Sequence, residues 1–180
     1  NNSNLEFLYL DNNNIKYLHE LSFSKLVKIN SINLNNNRIT MLNKEFINLT
    51  KLENLYLSNN PLISFSNLGT VIKKLDLSQT KINFENFTII NDLTNLLDLD
   101  LSYNKMNRNI LLNLNITRFK ELKRLILIQI GLTSNNSIKF LDDFKSLEEF
   151  DISDNEFRND DGIFMQNSIN LKILKLRNCS

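Results

Sequence analysis

Apolar side chains fall on a fixed frame along the chain, with polar residues between them. Leu5, Leu8, Leu10 and Ile15 bracket Asn13, and the same L-x-x-L-x-L-x-x-N-x-L spacing returns with starts at Ile29, Leu52, Ile72, Leu96, Leu122, Leu147 and Leu171. The starts lie 24, 23, 20, 24, 26, 25 and 24 residues apart, and the last copy is cut short at Ser180. Within each copy the apolar positions four and six, as in Leu8-Tyr9-Leu10 and Leu75-Asp76-Leu77, alternate with outward polar or aromatic positions. Alternation of that kind predicts a short strand with one buried face. One unit cannot bury its apolar face alone. Repetition at this period predicts about eight stacked units whose strands form one parallel sheet along a rod.

A second apolar period precedes each frame. Six residues before the starts stand Phe23, Phe46, Ile90, Ile116, Leu141 and Met165; three before stand Leu26, Leu49, Leu93, Phe119 and Phe144. In the fourth unit, 20 residues long, Ser66 and Gly69 take those places, which predicts a local flattening or twist. The longer fifth and sixth units predict loops or helical turns on the back of the rod.

The frame and its F-x-x-L-x-x-L lead-in resemble the leucine-rich-repeat family, in particular the class of about 24 residues per repeat found in extracellular proteins such as Toll-like, innate-immune and adhesion ectodomains. The resemblance covers essentially the whole chain. It implies an α/β solenoid, a curved rod with the parallel sheet on its concave face and irregular loops or short helical turns on its convex side. It also implies a Phe spine on the convex side and a ladder of buried amides at Asn13, Asn37, Asn60, Asn104 and Asn155 that bond turn backbone. Thr80 and Cys179 can partly substitute for Asn in that ladder, whereas Ile130 cannot. No composition shift marks an internal boundary, so residues 1–180 are expected to form a single leucine-rich-repeat domain. The start on Asn1, the stop inside a repeat and the lack of Cys-rich caps predict a mature product or a piece of a longer ectodomain.

Residues between the frame leucines should point from the concave face. Two features stand out among them. Lys74, Asp98, Arg124 and Glu149 alternate in sign down one column, either as a charged recognition strip or as lateral pairing between neighbouring strands worth about 0.2–1 kcal/mol a pair. Phe7, Tyr9 and Tyr56 towards the N-terminal end, and Tyr103, Ile126 and Ile128 towards the other, are apolar or aromatic where Asp100, Ser102, Asp151 and Ser153 set a polar rule. Such groups are common anchors of binding surfaces, unless flanking segments cover them. The candidate surface is therefore Phe7, Tyr9, Tyr56, Lys74, Asp98, Asp100, Tyr103, Arg124, Ile126 and Ile128.

Composition narrows the chemistry. With 21 basic and 20 acidic side chains the net charge is +1, which offers no footprint for nucleic acid or an anionic membrane, and no apolar run is long enough to cross a bilayer. His19 is the sole histidine and Cys179 the sole cysteine, so no metal site or nucleophile-base pair is expected. The stretch Asp151 to Glu156 echoes a calcium loop but lacks its Gly and runs through the core position Ile152. With three glycines there is no phosphate loop, and no cofactor is expected. The 33 asparagines supply turns in place of Gly and Pro, because Asn tolerates left-handed backbone. They also create six N-x-S/T acceptors, of which Asn48, Asn86, Asn115 and Asn135 lie in connecting segments suited to glycans.

The expected function is non-catalytic recognition of a protein or microbial ligand through the concave or lateral surface, in an extracellular or cell-surface setting. Homo- or heterodimers with another leucine-rich-repeat chain are compatible with it. Two alternatives stand beside it: a cytoplasmic scaffold or regulatory subunit binding a partner protein, and a segment whose catalytic domain lies elsewhere. The sixth unit, with isoleucines at its Asn place and outward positions, is the expected place of special function.

Overall fold

A computed structural model describes residues 2–82, 88–104, 118–133, 145–156 and 168–179. Each frame yields one three-residue strand: β1 (Phe7–Tyr9), β2 (Ser31–Asn33), β4 (Asn54–Tyr56), β6 (Lys74–Asp76), β7 (Asp98–Asp100), β8 (Arg124–Ile126), β9 (Glu149–Asp151) and β10 (Ile173–Lys175). All eight join in one parallel sheet, in the order β1-β2-β4-β6-β7-β8-β9-β10. Register is strict, because a one-residue slip would turn every leucine out to solvent. Leu8, Ile32, Leu55, Leu75, Leu99, Leu125, Phe150 and Leu174 therefore stack as one row beneath the sheet. The chain is an open solenoid with a sheet-lined concave side; among the described residues the one helical turn, α1 (Thr88–Asn91), lies in the lead-in to the fifth repeat.

Where each strand ends, one residue takes left-handed backbone: Asn12, Asn36, Asn59, Gln79, Tyr103, Gln129, Asp154 and Asn178, with φ between 50° and 59°. That twist aims its N–H at the next repeat, as in Asn36 N–H to the Ser58 carbonyl (2.9 Å) and Tyr103 N–H to the Ile128 carbonyl (2.7 Å). Four of the eight are Asn, the residue that tolerates this region best after Gly. Directly after each stands the ladder position. Asn60 Nδ2 donates to the carbonyls of Leu34 and Leu57 (3.0 Å each), while its Oδ1 accepts from Ile39 N–H (3.0 Å). Asn37, Asn104 and Asn155 bond in the same manner, and Asn13 reaches the carbonyls of Leu10 and Asp11.

Two of the three non-amide places are served by the following repeat. Asn104 Oδ1 accepts from both the N–H and the hydroxyl of Thr80 (3.0 Å each). Ile130 is buried, and Asn155 Oδ1 accepts from two backbone donors there, Ile130 N–H (3.2 Å) and Leu132 N–H (3.0 Å). At the last position the Cys179 thiol lies 3.5 Å from the Ile152 carbonyl and 3.7 Å from that of Arg177.

On the back of the rod Phe23 and Phe46 stack with ring centroids 5.6 Å apart, and Leu49, Ile90, Leu93 and Phe119 are buried with them in the core. Ile116, Leu141, Phe144 and Met165 lie outside the described residues. In the short fourth unit a shifted pair supplies the apolar filling. Phe65 and Leu68, one residue before Ser66 and Gly69, are buried instead. Phe65 belongs to β5 (Ser64–Phe65), which pairs in parallel with β3 (Met41–Leu42) in a second, two-stranded sheet. The main sheet crosses this unit in unbroken register, Asn54 opposite Lys74. Leu8 is half-buried, and Leu174 keeps 42% of its surface exposed.

Candidate binding face

The outward positions of the sheet form parallel columns that divide into two unlike halves. From β7 to β10 the face is charged and internally paired. Arg124 reaches Asp98 on one neighbouring strand and Glu149 on the other (3.1 Å each), and Lys175 reaches Glu149 (2.7 Å) and Asp151 (3.7 Å). One row further out, Glu148 bridges Lys123 (3.2 Å) and Lys172 (2.6 Å). The hydrogen bond from Lys175, helped by the charge of Arg124, holds the Glu149 carboxyl below the usual carboxylate range. Asp100 goes the other way. Burial raises it above that range, the field of Asp76 adds to the rise, and hydrogen bonds from Ser102 oppose it. The alternating column is thus lateral pairing over Asp98, Arg124 and Glu149, while Lys74 has no ion pair among the described residues.

Ile126 and Ile128 are not the exposed patch that their positions suggested. Ile126 is only 4% exposed, seated in register between Asp100 and Asp151, and Ile128 is half-buried. Ile128 N–H donates to Ser102 Oγ (3.1 Å), and Arg177 N–H to Ser153 Oγ (3.1 Å). Serines at these outward places therefore tie strand ends together. Tyr103 is also displaced from the sheet face. Its left-handed backbone sets it on the flank of the rod, beside a cleft of about 540 Å³ lined by Gln129, Gly131, Asp154 and Glu156.

From β1 to β4 the outward strand residues are uncharged, and charge begins on β6 with Lys74 and Asp76. Phe7 (53% exposed) and Tyr9 (69%) stand on β1, and the short side chains of Ser31 and Asn33 lie opposite them on β2. Tyr56 rises from β4 opposite Asn33, with Asn54 beside it. Together with Asn35 and Lys74 these residues line one cleft of about 480 Å³. Burial and the nearby carboxylates of Asp98 and Asp76 push the Tyr56 phenol up, so it stays protonated and able to donate. The sheet thus gathers three of the sequence-predicted aromatics in one place. Ser31 and Asn33 are not among the residues singled out by sequence; their only signal is shortness between two aromatic rows. Of the glycan acceptors, Asn48 is exposed in the described structure, whereas Asn86, Asn115 and Asn135 lie outside the described residues.

His19 is exposed and its Nδ1 accepts from Leu21 N–H (3.2 Å). No group of three or more His, Cys, Asp or Glu side chains suited to a metal occurs among the described residues, and no described helix is long and apolar enough to cross a membrane.

Comparison with known proteins agrees with this geometry. A family model described as leucine rich repeat matches residues 3–62. Mouse and bovine keratocan are each 33% identical to this chain over 137 residues, covering 74% of it but 38% of keratocan, so the chain spans well under half the length of those relatives. Among solved structures, a TLR13–ssRNA13 complex superimposes with a TM-score of 0.76 at 23% identity, over 97% of this chain and 25% of that one. Human 5T4 gives a TM-score of 0.77 at 18% identity, over 96% of this chain and 67% of that one. At such identities the two structures speak for the fold alone. Frame, ladder and sheet agree with the family model and the relatives, and this chain is a leucine-rich-repeat protein.

Proposed function

We propose that the chain is an extracellular recognition module that holds a protein or microbial ligand on its concave sheet face. The carrying observation is the contrast across that face. Phe7, Tyr9 and Tyr56 offer aromatic surface around a cleft, while the charges from Asp98 to Lys175 neutralise one another and leave little field for a partner. Aromatic groups left in water on a rigid sheet suit recognition, since their two side-chain torsions cost little entropy to fix. The similarity to keratocan and the exposed acceptor Asn48 on the side away from the sheet support the extracellular setting. The flank beside Tyr103 is a second surface open to a ligand or another leucine-rich-repeat chain.

Photo-crosslinking from defined positions tests the face. A crosslinkable residue at Tyr9 should capture a specific partner from the cell surface or surrounding fluid, and one at the exposed Lys120, outside the sheet, should not. Equal capture from both positions sinks the assignment. The setting has its own test: protein from its natural source should carry a glycan at Asn48, and a bare Asn48 favours the cytoplasmic alternative.

A further inference from the structure

We propose that the cleft between β1 and β4 is a binding site for a neutral oligosaccharide, with one sugar ring lying over β2 between Phe7 and Tyr9 on one side and Tyr56 on the other. The inference rests on the concave face being the ligand face and names the ligand class for its N-terminal half.

The shape comes from register. β2 lies between β1 and β4, so the aromatic rows stand two strand spacings apart, about 9.5 Å at the backbone. Van der Waals contact on both faces of a ring takes about 3.5–4.0 Å each, which such a trough accommodates with modest tilting of the walls. Its floor is short: Ser31 below Phe7 and Asn33 below Tyr9. A volume of about 480 Å³ lies within the range of small-ligand clefts.

The chemistry comes from the floor. Ser31 is 8% exposed and lines the cleft, yet its hydroxyl has no hydrogen-bond partner among the described residues. A buried polar group without a partner is costly, so an unmatched hydroxyl under a cleft points to something that fills it. The amides around it are already oriented. Asn33 Oδ1 accepts from Asn35 N–H (3.0 Å), which leaves its NH₂ to donate. Asn54 Nδ2 donates to Asn30 Oδ1 (2.9 Å), which leaves its carbonyl to accept. A fixed donor, a fixed acceptor and a hydroxyl that can do either suit vicinal hydroxyl groups, which also do both. The rings supply apolar faces for the C–H side of the sugar.

Charge excludes the nearest competitors. Lys74 is the one cation lining the cleft, and Asp76 and Asp98 stand on the strands just beyond Tyr56. Their field repels a polyphosphate chain, so single-stranded nucleic acid stacked on the same rings is disfavoured. A peptide would leave the oriented floor only partly matched, since its side chains rarely present adjacent hydroxyls.

The test uses the purified chain on an array of uncharged oligosaccharides ending in glucose, galactose, mannose or N-acetylglucosamine, with sulfated glycans, single-stranded poly(U) and a peptide set as further arms. Binding to at least one uncharged oligosaccharide is expected, with calorimetry giving a Kd between about 1 μM and 1 mM. Tyr56→Ala and Tyr9→Ala should each weaken it about tenfold, and Ser31→Ala severalfold, while Lys120→Ala, at an exposed position outside the sheet, changes nothing. Circular dichroism checks that each variant keeps its fold. Phe7→Leu, conservative in volume, covers the case in which an alanine variant fails to fold and should also weaken binding. Failure of every uncharged oligosaccharide, preference for poly(U), sulfated glycans or peptides, or full affinity in Tyr56→Ala overturns the proposal. No protein partner enters this assay, so its failure leaves the sheet-face reading to the crosslinking result.

Discussion

At the scale of single residues, the ladder shows how a repeat tolerates a missing amide. Ile130 brings no side-chain acceptor, yet its own N–H and that of Leu132 both end on Asn155 Oδ1. Asn60, equally buried, accepts one such bond. Each buried backbone group left unpaired costs about 1–3 kcal/mol. Asn60→Ala should therefore lower stability by about 2–4 kcal/mol, and Asn155→Ala by about 1 kcal/mol more, read as shifts in the urea midpoint; equal losses would refute the compensation. The left-handed positions give the opposite kind of prediction. Tyr103 holds φ at 59°, where a bulky side chain is strained, so Tyr103→Asn should stabilise the chain by about 0.5–1 kcal/mol in the same assay. Asn at four of these places was legible as turn chemistry. Gln79, Tyr103 and Gln129 were not, because nothing about those residues favours a left-handed backbone; the stacking of repeats imposes it.

At the scale of strands, charge acts across neighbours. Arg124 ties β7, β8 and β9 together through Asp98 and Glu149, but its side chain is 39% exposed. Solvent screening therefore limits the effect: Arg124→Met should cost about 1 kcal/mol or less, and the difference should shrink at high salt. Two carboxylates of the same sheet should respond to pH with opposite sign. Burial raises Asp100, so the folded chain binds its proton more tightly than the unfolded chain does. The ionised form then costs stability at neutral pH, and the cost fades as pH falls through the folded value. Asp100→Asn should be the more stable protein at pH 7, with an advantage that vanishes in acid. The hydrogen bond from Lys175 lowers Glu149, so its contribution is present above the ordinary carboxylate range and lost as pH falls through the lowered value. Glu149→Gln should be the less stable protein at pH 7 and match the parent in acid. Thermal melts across pH check both signs. Alternation of charge was visible in the sequence, but which charges pair depends on register and reach, and Lys74 stays outside the network.

At the scale of the whole molecule, stability is a stack of contacts between neighbouring repeats. Leu99 is fully buried between Leu75 and Leu125. Leu99→Ala should cost about 2–5 kcal/mol, measured by chemical denaturation. A cost well below that range would refute the role of this row in holding the repeats together. The proposed binding face follows from the same architecture: one sheet carries an aromatic trough in one half and a self-neutralised lattice in the other.

The repeat frame, the eight strands, their shared phase and the buried leucine row follow from sequence alone. Apolar spacing at a constant period admits one economical way to bury every leucine, and register then leaves no choice. Only the tertiary structure decided which outward residues meet solvent and which meet each other. Ile126 and Tyr103 illustrate why. Ile126 holds an outward place in its repeat but is enclosed by residues of the repeats on either side. Tyr103 follows the outward Ser102, and a left-handed turn sets it beside a cleft with Gln129, Gly131, Asp154 and Glu156. Ser31 and Asn33 became a floor only when β2 settled between two aromatic strands. Burial of a row depends on the pattern within each repeat; the surface depends on how three successive repeats lie together, and no single repeat carries that information.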